Sequence, residues 1–450
     1  MAKRICIIPG DGVGPEVMES CLAVFDALGL DFEYVRADAG LACFKKRGEY
    51  IPDETIDAAR AADACLMGAI QTPVPAPKDY KSPVLTLRKE LDLFANLRLF
   101  RRWTPAPPDA KPLDIILVRE NTEDVYGCKE YERDGAVVSE RVISRKGCER
   151  IVNFAFDYAA RHQRKKMACA HKANVLKLSD GMFREIFYEA AKARGWQCSD
   201  QRIENREPRI ENRESRIGRR EPRMENREPR MENREPSTCS KCPASPDNGA
   251  PKSKCDNCSP ATLPSELKSH FDFPANDKRC AYLESHSHDS RITNLKSRIP
   301  NLESRITNRE LHVATDEHVD AVAMRLIMNP ERYDIIVTLN LYGDILSDEI
   351  AGLIRGLGFA PSANISERSA IFEPVHGSAP DIAGKGIANP VAMILSGTMM
   401  MRHLGYDVQA AKVESAIERL LREGKYTPDC SGKLTTKEFT AELIKVIGAK

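Results

Sequence analysis

The sequence predicts a two-domain α/β protein on a mostly parallel sheet, interrupted by a long low-complexity insertion. Three observations carry that prediction. Apolar runs such as Ile115-Ile116-Leu117-Val118 and Ile335-Ile336-Val337 read as buried strands. They alternate with helical patterns at 53–62, 146–161, 179–193 and 408–423, and that alternation implies a parallel sheet covered on both faces. Mean hydropathy is −0.42 although both ends of the chain are richly apolar, so the polar excess is concentrated in the middle.

The chain of 450 residues carries 67 Lys and Arg against 66 Asp and Glu, a net charge of +1. Near-neutrality argues against general nucleic-acid or membrane-surface binding, which needs a basic excess. No apolar run approaches the ~20 residues of a membrane span. The apolar stretch after Met-Ala-Lys-Arg is too short for a signal peptide and reads as an opening strand, Ile5 to Ile8. Fourteen cysteines without a dense framework point to reduced thiols in the cytoplasm.

The foreign piece is repetitive. From Arg202 to Pro236 a seven-residue unit recurs, Arg-Ile-Glu-Asn-Arg-Glu-Pro and close copies, with a looser set starting at Arg291, Arg298 and Arg305. Each unit offers one aliphatic position where a coiled coil needs two. Most also carry a Pro, which costs about 3 kcal/mol inside a helix. Between Trp196 and Phe271 there is no aromatic residue, so the segment cannot bury enough apolar surface to offset its ordering entropy. A disordered surface insertion over 197–310 is the expectation. Within it, Cys239-x-x-Cys242 and Cys255-x-x-Cys258 have the spacing of a tetrahedral zinc site, but the apolar residues that usually pack beneath a zinc knuckle are missing. Without the insertion about 335 residues remain, the size of a two-domain α/β enzyme.

Chemistry concentrates in five segments of the flanks. Asp344 and Asp348 follow the strand 334–338 at helical spacing, which sets both carboxylates on one face. A hard divalent cation would relieve their repulsion, and a solvated polar face is the competing reading. Asp320, in His318-Val319-Asp320-Ala321, is a third acid just upstream. Arg88, Arg98 and Arg119 are candidate carboxylate forks; Arg119 follows a buried strand ending at Val118, where open α/β sheets bind ligands. The stretches Arg119 to Tyr126 and Ala170-His171-Lys172-Ala173-Asn174 supply proton-transfer candidates, since a Tyr near cations or a desolvated Lys can have a lowered pKa. The loop Glu373-Pro374-Val375-His376-Gly377-Ser378-Ala379-Pro380-Asp381 is rich in small residues, letting backbone approach a ligand, and Asp381 suits a ribose diol. Gly10-Asp11-Gly12-Val13-Gly14 lacks the G-x-G-x-x-G spacing and reads as a tight strand-to-helix turn.

These segments, in this order, resemble the β-decarboxylating dehydrogenase family: isocitrate, 3-isopropylmalate and homoisocitrate dehydrogenases. The resemblance covers 1–196 and 311–450, and the stretch 79–88 looks most like methanogen-type homoisocitrate dehydrogenases of coenzyme B biosynthesis. It implies the family's two-domain α/β subunit, not a true Rossmann domain. The large cofactor-binding domain would take 1–93 with 355–450, and the small substrate and dimerisation domain 94–354. It implies a homodimer or a dimer of dimers acting on a small molecule, with NAD and Mg²⁺ or Mn²⁺. By motif match, Arg88, Arg98 and Arg119 would hold the malate carboxylates, Tyr126 would protonate the enol carbon and Lys172 would be the base for the C2 hydroxyl. Asn174 would sit between substrate and nicotinamide, and Ser82 near the substrate's third substituent. Asp344 and Asp348, with Asp320 or Lys172 reaching across the dimer interface, would complete the metal site. Thr72, His376, Gly377, Ser378, Ala379, Pro380, Asp381 and Asn389 would bind the dinucleotide, with Asp381 favouring NAD because a 2′-phosphate would meet a carboxylate.

Two departures stand out: Leu99 after Arg98 where relatives usually have Pro, and Ser431 where they tend to have Gly. Within the family the rival activity is 3-isopropylmalate dehydrogenase. Val84 and Leu85 would accept an isopropyl group, whereas Ser82 and Lys81 could serve a distal carboxylate, which tilts the expectation toward homoisocitrate. A zinc-binding interaction protein on an inactive core is the alternative of a different class.

Overall fold

The computed structural model describes residues 2–77, 80–103, 113–200 and 312–448, all within one unit of the chain. The chain opens with β1 (Lys3–Ile8), α1 (Gly14–Ala27), β2 (Phe32–Arg36), α2 (Leu41–Arg47), α3 (Asp53–Ala61) and β3 (Ala64–Met67). Next come α4 (Pro83–Glu90), β4 (Ala95–Arg101), β5 (Asp114–Glu120) and a small ribbon of β6 (Glu130–Arg133) with β7 (Ala136–Ser139). After these lie α5 (Arg145–Arg161), β8 (Lys166–His171), α6 (Ser179–Ala193) and β9 (Gln197–Asp200). Beyond residue 311 the order is β10 (Val313–His318), α7 (Val319–Met328), β11 (Ile335–Thr338), α8 (Asn340–Leu353), β12 (Pro361–Ile365) and β13 (Ala370–Pro374). The last three helices are α9 (Val391–His403), α10 (Asp407–Arg422) and α11 (Thr436–Gly448).

The four helices expected from periodicity, α3, α5, α6 and α10, appear within a residue or so of their predicted ends. Their apolar stripes explain why: in α5 the residues Cys148, Ile151, Val152, Ala155, Phe156 and Ala159 all face the core. Ser144 caps that helix, its hydroxyl accepting from Gly147 N at 2.9 Å.

One sheet of eleven strands runs β2-β1-β3-β13-β12-β4-β5-β11-β8-β10-β9. Its flanks are parallel, as expected of fully buried runs such as Ile335 to Thr338. Its centre is antiparallel: β12 pairs with both β13 and β4, and β4 pairs with β5. The β12–β13 turn is too short for a crossover and is closed by Ser366, whose hydroxyl accepts from Ser369 N at 3.0 Å. In β4 the strand alternation sends Ala95, Leu97 and Leu99 to one face and Asn96 and Arg98 to the other. No helix among the described residues is long and apolar enough to cross a membrane.

Two sequence expectations need correction here. The strand before Arg119 does not end at Val118 but continues through Glu120, so Arg119 is a strand residue. The expected insertion began at 197, whereas Gln197 to Asp200 form β9, paired in parallel with Val313 to Asp316 of β10. Hydrophobic counting misses this strand because its sequence, Gln-Cys-Ser-Asp, is polar, as suits the edge of a sheet. The heptad repeats and Cys239, Cys242, Cys255 and Cys258 lie outside the described residues. Every cysteine among the described residues is a free thiol.

Candidate active site

Three buried arginines meet above the antiparallel centre of the sheet. Arg119 is 1% exposed on β5; its Nε donates to Asn340 Oδ1 at 2.9 Å and its Nη1 pairs with Asp344 on α8. Helix α8 comes this close because residue 343 is glycine: a Cβ there would lie 2.5 Å from Arg119 Cγ. Arg98 on β4 donates through Nε to Asn96 Oδ1 at 2.8 Å, reaches Ser347 Oγ, and stands 3.8 Å from Asp344. Arg88, in the last turn of α4, has Nη2 4.0 Å from Glu373 Oε1 and a buried Nε with no hydrogen-bond partner.

Burial first, and the mutual repulsion of the guanidinium groups second, push Arg98 down to about 10. Burial likewise lowers Arg88. Arg98 at about 10 is still charged at neutral pH, so the cluster offers buried guanidinium forks, a chemistry that suits carboxylates. Behind it, Asn96 and Asn121 both donate to Asn364 Oδ1, at 3.0 and 2.9 Å, and Asn364 donates to Glu373 Oε1 at 2.7 Å. This amide ladder supports Arg98 through Asn96 and meets Arg88 through Glu373. Sequence reasoning missed it because Asn96 and Asn121 meet Asn364 from 268 and 243 residues away in the chain.

Tyr126 stands at the mouth of this cluster on a short 3₁₀ turn, Val125–Gly127. Its hydroxyl donates to Asp344 Oδ2 at 2.6 Å, and the Arg119 guanidinium lies 5.0 Å from its ring centroid. The expected lowering of its pKa is overturned. Burial, and then the Asp344 carboxylate accepting its proton, raise Tyr126 above the usual phenol value despite Arg119. A protonated phenol at neutral pH suits a proton donor. Burial alone would raise Asp344, but Arg119, Tyr126 and Arg98 outweigh it and hold the carboxyl below its usual range. Asp348, one turn further along α8, is exposed.

Lys172 and Asp320 form a second focus, Nζ to Oδ1 at 2.6 Å. Asn174 follows in an exposed turn. Asp320 does not join Asp344 and Asp348 in one subunit: the described residues hold no cluster of three His, Cys, Asp or Glu with metal-ligand geometry. The same region exposes large apolar side chains, Leu178 (90%), Ile327, Met328 and, beside Asp344, Ile345.

A third focus is a cavity of about 580 Å³ lined by Val13, Leu357, His376, Gly377, Ala379, Ile382, Ile387, Asn389 and Asp429. His376 Nε2 is buried there without a hydrogen-bond partner, and burial lowers its pKa. Asn389 donates to Asp429 Oδ2 at 2.9 Å. The opening turn packs onto this loop, Val13 N donating to Ser378 O at 2.9 Å, and a Cβ on Gly12 would lie 1.9 Å from that oxygen. Asp381, exposed, and Pro380 are absent from the cavity lining, and its acid is Asp429. Asp429 lies two residues before Ser431, in Thr427-Pro428-Asp429-Cys430-Ser431. Thr72 is exposed in the loop after β3. Ser82 caps α4, its hydroxyl 3.4 Å from Leu85 N. Val84 is half-buried against the core cluster of Leu87 and Leu91, and Leu85 is exposed one turn before Arg88.

The sequence profile described as isocitrate/isopropylmalate dehydrogenase matches residues 4–214 and 304–444. The chain is 36% identical to a homoisocitrate dehydrogenase of Methanocaldococcus jannaschii, covering 99% of this chain and 98% of the relative. It is 38% identical, with the same coverage, to a 3-isopropylmalate dehydrogenase of Methanothermobacter thermautotrophicus. Among solved structures it is similar to an isocitrate dehydrogenase from Methylococcus capsulatus, with a TM-score of 0.70, 31% identity and full coverage of both chains.

Proposed function

Because the chain belongs to the isocitrate/isopropylmalate dehydrogenase family, whose members oxidise and β-decarboxylate malate-type acids, we propose that it acts on homoisocitrate, with NAD⁺ and a divalent cation. The observation that carries the reading is the convergence of Arg88, Arg98 and Arg119 on one buried site with Tyr126 and Asp344. Three fixed cations are more than a monocarboxylate needs and suit a substrate with several carboxylates.

The residues fit the two groups the family uses. Asp344 and Asp348 offer hard oxygen donors one helical turn apart, which suits Mg²⁺ or Mn²⁺, with Asp320 supplied by a second copy of the chain. The cavity at His376, Asn389 and Asp429 has apolar walls and an unpaired imidazole nitrogen, which suits the adenosine half of a dinucleotide. When bound, the dinucleotide accepts hydride and the cation polarises the C2 oxygen. The chain does the rest. The three arginines orient the malate core and hold its carboxylates. Lys172 takes the C2 hydroxyl proton, and Asn174 lies between substrate and nicotinamide. After CO₂ leaves, Tyr126 delivers its proton to carbon.

A homodimer follows from the same reading. Ile327 and Met328 share α7 with Asp320, Ile345 follows Asp344 on α8 and Leu178 precedes α6; all four are exposed, and a second copy would cover them while bringing Asp320 to Asp344. The rival substrate is 3-isopropylmalate, favoured by the exposed apolar Leu85 on the Arg88 face of α4. A kcat/KM panel of isocitrate, homoisocitrate and 3-isopropylmalate with NAD⁺ and NADP⁺ separates these readings. Preference for 3-isopropylmalate would overturn the substrate assignment, and preference for NADP⁺ the cofactor assignment.

A further inference from the structure

Arg141 lies beyond β7 and has no place in the chemistry above. Its guanidinium bridges two fully buried carboxylates, Asp124 and Asp180. Nε donates to Asp124 Oδ1 at 2.6 Å and Nη2 to Oδ2 at 3.3 Å, while Nη1 donates to Asp180 Oδ1 at 2.7 Å. What those aspartates hold with their remaining lone pairs gives the arrangement its meaning. Asp124 accepts from Val125 N, at the start of the Tyr126 turn, and from Leu341 N, in the first turn of the helix of Asp344, both at 3.0 Å. Asp180 accepts from Lys172 N at 2.7 Å and from the Tyr342 hydroxyl at 3.0 Å. The Tyr342 ring lies 5.0 Å from the Arg141 guanidinium.

Asp124 sits at φ 72°, ψ −145°, a conformation a non-glycine residue keeps only when its surroundings impose it. Here Arg141, Leu341 N and the backbone bond from Asp124 N to Val142 O at 2.9 Å impose it together. Buried ion networks are weak stabilisers, since apolar replacements of the same volume are often as stable. Their better-attested use is to specify one arrangement. This network lies where three otherwise separate functional segments meet.

We infer that Arg141 is a positioning residue: by bridging Asp124 and Asp180 it holds the turns of Tyr126 and Lys172 and the start of the Asp344 helix in fixed register. The roles of those three residues rest on the proposed function, whereas the bridge is independent of it. If Lys172 serves a second copy's site, one bridge sets the geometry of both sites of a dimer.

The test uses the full chain carrying Arg141→Lys, in which an ammonium replaces the planar fork and cannot hold both aspartates in the same geometry. It is expected to fold. In it kcat falls about 10–100-fold, the scale of a misplacement near 1 Å, while KM for the malate substrate moves less than about threefold. Amide exchange at Val125 and Lys172 speeds up together, with α9 unchanged. In Arg141→Ala, added guanidinium restores kcat and ammonium at the same ionic strength does not. Parental kcat in Arg141→Lys, a loss confined to KM, or faster exchange at only one of the two turns would each overturn the inference. If the parental chain turns over none of the malates, the functional reading fails, and the paired exchange at Val125 and Lys172 still decides the bridge.

Discussion

Gly343→Ala places one methyl group where the arginine cluster has no room for it. The added Cβ would lie 2.5, 2.8 and 2.9 Å from Cγ, Cβ and Cδ of Arg119, about 1 Å inside ordinary van der Waals contact. Arg119 cannot swing aside, because it is 1% exposed and tied at both ends, to Asn340 and to Asp344. Either α8 moves outward with Asp344, or Arg119 leaves its rotamer. Overpacking of this kind costs about 1–3 kcal/mol. In a chain this size that lowers Tm by only a few degrees, since about 1 kcal/mol shifts a domain of 150–250 residues by 2–4 °C. Activity suffers far more. A shift near 1 Å between a carboxylate-binding arginine and Asp344 costs about 100-fold, so kcat/KM should fall at least that far in a folded protein. Gly352→Ala, in the last turn of the same helix with open space around it, is the control. It should keep parental kcat/KM and gain up to about 1 kcal/mol from the better helix former. Parental kcat/KM in Gly343→Ala, measured beside unchanged circular dichroism, would refute the close approach of α8 to Arg119 as a functional requirement.

Tyr126→Phe keeps the ring over Arg119 and removes the proton donor, so decarboxylation and final protonation should fall about 10²–10⁴-fold. Hydride transfer to a non-decarboxylating analogue should fall much less, and equal damage to both would count against the assignment. Asp316 accepts from His171, Arg184 and Tyr188; burial alone would raise it, but these partners outweigh burial and hold it well below the usual carboxylate range. Because its folded pKa is depressed, its stabilisation is fully present above about pH 4, near the unfolded value, and fades as pH falls toward the folded value. The stability gap between parent and Asp316→Asn, about 1.5–3 kcal/mol for a charge-assisted bond, should therefore be constant above roughly pH 5 and shrink toward pH 3; denaturant titrations at both pH values would show a constant gap if the reasoning is wrong. Replacing 202–308 with a Gly/Ser linker should leave turnover near parental, provided the linker has a dozen or more residues, since β9 and β10 are parallel and need a crossover. The wider replacement of 198–310 deletes most of β9 and should cost stability, which thermal melts of the two deletions would compare.

Much of this architecture was legible because local patterns and global fold agree. Ile115 to Val118 and Ile335 to Val337 are apolar on both faces, as strands covered on both sides of the sheet need to be. The antiparallel centre was not legible. β4 reads Ala-Asn-Leu-Arg-Leu-Phe-Arg, whose buried Asn96 and Arg98 carry no signal of burial until β5 and β12 are laid beside them. The same limit applies to the site. Arg88, Arg98, Arg119 and Tyr126 were each visible as residue types at suggestive places, and the register of β4 on β5, with Asn96 opposite Arg119, brings two of them together. Arg141 and Asp180 were invisible, because their meaning lies in whom they touch. Asp429 carried no signal in the sequence, because a loop's small residues say that a ligand could approach and not which distant residues line the cavity beside it.

The central claim is that the arginine cluster with Tyr126 and Asp344 carries out oxidation and loss of CO₂ on one bound malate-type acid. It is tested most directly by following dinucleotide reduction and CO₂ release together, in the parent and in Arg119→Met. The account predicts equimolar reduced dinucleotide and CO₂ from the parent, and loss of both in the variant while its melting curve and circular dichroism remain those of a folded chain. Reduction without CO₂ in the parent, or undiminished release of both products from Arg119→Met, would contradict it.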